Sequence, residues 1–160
     1  MFRRLIRTLP ALTCILAVGA MPAIAVSAVS AEPAIAAKVN VDAAQVALEG
    51  SDPVALFTTS AILPGKPDLT ATHAGATYRF SSPENRTAFQ ADPGKYAPQF
   101  GGFCAFGVSK GKLFPVELQT WQIVNGKLYL NKNLEVKAKM NADLAGVLTK
   151  AEQEWVTLTK

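Results

Sequence analysis

The chain has 160 residues, 18% of them charged, and a formal net charge of +4. Arg3, Arg4 and Arg7 supply three of those charges and every acidic residue lies at Glu32 or later, so the rest of the chain carries only +1. That balance argues against a nucleic-acid partner, because phosphate affinity needs clustered, uncompensated Lys and Arg.

The opening Met1-Phe2-Arg3-Arg4-Leu5-Ile6-Arg7 is basic, and an apolar run from Leu9 to Ile24 comes after it, which is the layout of a secretory signal peptide. Small residues favour cleavage after Ala23-Ile24-Ala25 or after Val29-Ser30-Ala31. The apolar stretch approaches the roughly 20 residues that span a bilayer. Pro10, Gly19 and Pro22 interrupt it, so no stable membrane anchor is expected after cleavage. The expected organisation is a cleaved leader over 1–31, a flexible spacer of small residues over 32–45, and one domain over 46–160, periplasmic or secreted. With Cys14 removed, Cys104 is the one cysteine and His73 the one histidine, and no internal disulfide can form.

Within the domain, Leu69–His73 and Ala76–Phe80 flank Ala74-Gly75, and Trp121–Val124 and Lys127–Leu130 flank Asn125-Gly126. Both read as β-hairpins, the second strongly so, since Asn-Gly accepts the two positive φ angles of a tight turn. Counting out from the first turn pairs His73 with Ala76, Ala71 with Tyr78 and Leu69 with Phe80, all on one face. Ser81-Ser82-Pro83-Glu84 then predicts a helix to about Ala91, with Ser81 and Glu84 at capping-box spacing. Asp92-Pro93 ends that helix and starts a short turn carrying Tyr96, and Phe89, Tyr96 and Phe100 are expected on the hairpin. The segment from Asn133 to Lys160 reads as helical, broken near Gly146, with Val136, Met140, Leu144, Leu148 and Trp155 facing the core. The expected fold is α+β: a small antiparallel sheet of two β-hairpins packed against short helices, with a C-terminal helical segment.

Gly50-Ser51-Asp52-Pro53-Val54-Ala55-Leu56-Phe57, then Gly75 to Phe89, then Ala91-Asp92-Pro93-Gly94-Lys95-Tyr96-Ala97-Pro98, resemble the YHS domain. Gly101-Gly102-Phe103-Cys104-Ala105-Phe106-Gly107-Val108-Ser109 resembles its exported bacterial branch, often labelled YHS domain-containing (seleno)protein. The resemblance implies a link to heavy-metal handling. The family's cysteine positions, however, correspond here to Ala55, Ser81 and Asn85, none of which is a soft thiolate ligand. It also implies that some relatives carry selenocysteine at the position of Cys104, pointing to a nucleophilic or redox chalcogen there.

Cys104 lies between glycines and aromatics, where backbone amides can approach the sulfur and favour a thiolate. The competing reading is an inert cysteine filling a small hole. His73 reads either as a second metal ligand or base for Cys104, or as a turn histidine with no role. Met140 reads as a third soft donor or as core. Tyr78, Phe80, Phe103, Phe106 and Trp121 are candidates for an apolar pocket near the cysteine, with plain packing as the alternative. No Ser-His-Asp order, phosphate loop or zinc-protease helix is present.

Three functions remain open on these residues. The first is a periplasmic YHS-type binding or sensing module, not an enzyme, in which Cys104, aided by His73, contacts a soft metal such as a copper ion. One thiolate and one imidazole leave such a site open in a monomer, so tight binding would need a homodimer or a protein partner. The second is an oxidoreductase with Cys104 as the catalytic thiol and an external small thiol or oxidant as co-reactant. The third is a non-catalytic interaction domain.

Overall fold

The computed structural model describes residues 38–160. The leader, both cleavage sites and the first part of the spacer lie outside the described residues. Residues 38–160 form an α+β fold with two β-hairpins, six α-helices and two hydrophobic cores.

Strands β1 (Lys66–His73) and β2 (Ala76–Phe80) pair antiparallel about Ala74 and Gly75, whose φ angles are 51° and 81°. His73 faces Ala76 and Ala71 faces Tyr78 as the turn dictates, but Phe80 pairs with Lys66 and not with Leu69. The register slips between Lys66 and Thr70, a stretch containing Pro67, which has no N–H for the ladder. Helix α2 (Pro83–Ala91) lays Phe89 across this hairpin, its ring centroid 4.8 Å from Tyr78, 5.2 Å from Phe80 and 6.1 Å from His73. Phe89 is 1% exposed, and its burial contributes about 1.5–3 kcal/mol. The cap of α2 is Ser82, whose hydroxyl accepts the Asn85 amide at 3.2 Å, and not Ser81. Asp92 closes α2 and caps α3 (Pro93–Tyr96). Tyr96 stacks edge-on against Phe57 of α1 (Pro53–Thr58), with centroids 5.3 Å apart.

Strands β3 (Gln122–Val124) and β4 (Lys127–Tyr129) form the second hairpin, with the two positive φ angles at Asn125 (50°) and Gly126 (73°). Each hairpin is its own two-stranded sheet. The alternation of the β4 segment assigns the cores. Leu128 and Leu130 enter the first, with Leu56, Tyr78, Phe80 and Phe89, while Tyr129 enters the second, with Phe100, Val108 and Met140. Phe100 therefore packs on Tyr129 and Trp155, and not on the first hairpin.

The C-terminal segment divides into α5 (Leu134–Ala142) and α6 (Leu144–Leu158). The break falls at Asp143 and not at Gly146, because the Asp143 carboxylate accepts the Gly146 amide at 3.2 Å and so places Gly146 in the first turn of α6. Residues 38–45, read from sequence as spacer, are fastened to the domain. Asn40 N–H donates to Gly101 C=O at 2.8 Å, Asp42 accepts the Ala44 and Val46 amides at 2.9 Å each, and Lys38 Nζ donates to Leu158 C=O at 2.6 Å. The turn that receives Asn40 runs through Phe100, Gly101 and Gly102, all with positive φ. A side chain at Gly101 would collide with the Lys38 carbonyl, so glycine is required there on two counts.

Candidate functional site

Cys104 is held at both ends by backbone. Its N–H donates to Phe114 C=O at 3.1 Å, and the next amide, Ala105 N–H, donates to Leu130 C=O at 2.9 Å. This fixes the residue at the start of α4 (Ala105–Val108), where its side chain takes the capping position. Sγ accepts the Gly107 amide at 3.3 Å and faces Asn131 Oδ1 at 3.8 Å. The residue is only 1% exposed. Gly107 permits the closure, since a Cβ there would lie 2.7 Å from the Phe114 ring.

Asn131 ties this thiol to a second sulfur. The asparagine is fully buried, Oδ1 also accepts the Phe106 amide at 3.4 Å, and Nδ2 donates to Met140 Sδ at 3.2 Å. Its own N–H donates to Thr120 Oγ1 at 2.8 Å. Cys104, Asn131 and Met140 thus form a continuous buried polar chain. Burying an amide costs several kcal/mol unless its bonds are made, and here they are made.

His73 is elsewhere. It ends β1, lies edge-on to Phe89 and lines a cleft of about 240 Å³ with Tyr78, Phe100 and Trp155, a cleft that Cys104 does not line. Cys104 and His73 are therefore not brought together as the sequence suggested, and the residues do not fit a copper site built on that pair. Among the described residues no group of three His, Cys, Asp or Glu side chains is placed to hold a metal. Met140, by contrast, does reach the neighbourhood of Cys104 through Asn131. The aromatic pocket expected around the thiol is divided: Tyr78, Phe80 and Trp121 belong to the first core, Phe103 and Phe106 to the second.

Asp52 is a polar centre to which the sequence reading assigned no role. Its carboxylate is fully buried and receives five donors. Oδ1 accepts Val54 N–H at 2.8 Å and Ala55 N–H at 3.2 Å, and Oδ2 accepts Ser81 N–H at 2.8 Å, Ser81 Oγ at 2.6 Å and Asn85 Nδ2 at 2.6 Å. Ala55, Ser81 and Asn85, the three positions aligned with the YHS cysteines, all converge on this one side chain. Asp52-Pro53 before an apolar run is a helix-start signal, and it was readable as such. Ser81 is spent here, which is why Ser82 caps α2.

No family model matches the chain, and no curated protein or solved structure matches it. The likeness to the YHS domain rests on the residues of the sequence alone.

Proposed function

We propose that the chain is an exported binding module of the YHS kind, with a resting state in which Cys104 performs no covalent chemistry. The observation that carries this is the engagement of Sγ: it is buried, it caps α4 through Gly107 N–H, and Asn131 occupies its other side. A nucleophilic or redox thiol must meet its partner, and this one is covered. The basic, apolar N-terminal segment supports export to the periplasm or beyond.

The test is thiol labelling of the mature protein. A chromogenic disulfide should react with Cys104 only as fast as the domain opens, and stoichiometrically in urea. Rapid labelling of the native protein, or turnover of peroxide that disappears in Cys104→Ser, would establish the oxidoreductase reading instead.

One observation favours a second reading, a soft-metal site. Cys104 and Met140 place their sulfurs on either side of Asn131, so a swing of that amide would offer both to Cu(I). Competition against a Cu(I) chelator decides it. Affinity lost in both Cys104→Ser and Met140→Leu supports the sulfur pair, and equal affinity in all three proteins removes it.

A further inference from the structure

We infer that the cleft between the β1–β2 turn, the Phe100–Gly101 turn and α6 binds a small aromatic carboxylate. The inference deepens the binding-module reading and rests on it, but it uses none of the atoms around Cys104.

The cleft measures about 240 Å³, below the roughly 300–1,000 Å³ of pockets for drug-sized ligands, which suits a one-ring compound. Its walls are aromatic: Tyr78, Phe100 and Trp155, with the Phe100 and Trp155 rings 5.9 Å apart and inclined at 62°. Rings so inclined offer both faces and edges to a planar guest.

Lys38 is the one formally charged side chain in the lining, His73, Tyr78, Gln99 and Trp155 supply its other polar side-chain groups, and no carboxylate lines the cleft. Lys38 is fixed by the bond of one ammonium hydrogen to the Leu158 carbonyl, leaving its charge otherwise uncompensated by an ion pair among the described residues. Tyr78 is 2% exposed, and neither its hydroxyl nor the Trp155 indole N–H has a hydrogen-bond partner among the described residues. A phenol that lines the cleft without a bond to another described residue is left to solvent, and a ligand oxygen would take the place of that water. An acidic cleft would have selected a cation; a lysine ammonium, a phenol donor and aromatic walls select an anion carried on a ring.

The experiment is a titration of the isotopically labelled mature protein with benzoate, and in parallel with benzamide, followed by amide and indole shifts. Saturable shifts at His73, Ala74, Gly101 and the Trp155 indole are expected, with benzamide at least about five-fold weaker. Tyr78→Phe keeps the ring and removes the donor, and should weaken benzoate about three- to ten-fold. Lys38→Gln, at an exposed position, should weaken benzoate and leave benzamide unchanged. Binding equal for the two ligands, unchanged by both variants, or reported at Leu48 and Leu118 of the neighbouring cleft overturns the inference. Absence of shifts with an unreactive native thiol sinks the ligand while sparing the resting state of Cys104; a reactive thiol with benzoate bound does the reverse.

Discussion

Cys104 Sγ accepts the amide of Gly107 three residues ahead at 3.3 Å, the bond a serine or aspartate usually makes at a helix start. The sulfur is thereby a structural cap, and its removal has a calculable cost. Cys104→Ser should hold stability within about 1 kcal/mol, whereas Cys104→Ala, which loses the cap and leaves a hole, should cost about 2 kcal/mol. Urea denaturation measures both, and an alanine variant as stable as the serine variant would remove the capping role.

Asp52 gathers five donors, of which an asparagine can satisfy only those facing its single oxygen. Asp52→Asn should therefore destabilise the domain by about 3 kcal/mol at neutral pH. The same denaturation experiment on Ser81→Ala should show a smaller loss, and a double variant should be less than additive, because both changes strike one network.

Burial pushes the Tyr78 hydroxyl up to about 12 from 10.0. A phenol that ionises later in the folded state than in the unfolded one leaves stability intact below pH 10 and erodes it between pH 10 and 12. The loss reaches about 2 kcal/mol by the upper end. Tyr129 is raised as well, by burial first and by the Glu152 charge second, so the two add. The stability of the parent minus that of Tyr78→Phe should be constant below pH 10 and fall above it, and a constant difference throughout would contradict the assignment.

Glu84 is lowered by its own backbone amide first, then by the Ser82 hydroxyl and the Lys66 charge. A carboxylate with a depressed folded value contributes above its unfolded value and loses that contribution as pH falls through the folded one. Glu84→Gln should thus be less stable than the parent at pH 7 and equal to it near pH 2, as thermal unfolding in the two buffers will report.

Gly65 and Gly75 separate two reasons for glycine. A Cβ on Gly65 would lie 2.7 Å from the Arg79 carbonyl oxygen, a backbone atom that cannot turn aside, and Gly65→Ala should cost about 3 kcal/mol. Gly75 has open space around it but φ of +81°, so Gly75→Ala should cost only about 1 kcal/mol. Comparable losses at the two sites would refute the distinction.

Local chemistry was legible where one residue decides it. Asn125-Gly126 set its hairpin, Pro83 and Asp92 bounded α2, and Met140 faced the core as its spacing required. Failures came where a distant group competed. Ser81 had the right spacing for a capping box, but Asp52, 29 residues away, claimed it. Leu69 had the right position opposite Phe80, but Pro67 displaced the ladder. The candidate site failed for the same reason: nothing near Cys104 or His73 reveals which core each residue will enter. Asn131, which joins the thiol to Met140, carries no local signal at all.

The contact of Lys38 with the Leu158 carbonyl spans 120 positions and draws the two ends of the described chain together. Such closure cannot occur until the last helix has been synthesised, so completion of the fold waits on the far terminus. It also means that joining these ends by a short linker and opening the ring at Asn125-Gly126 should yield a working permutant.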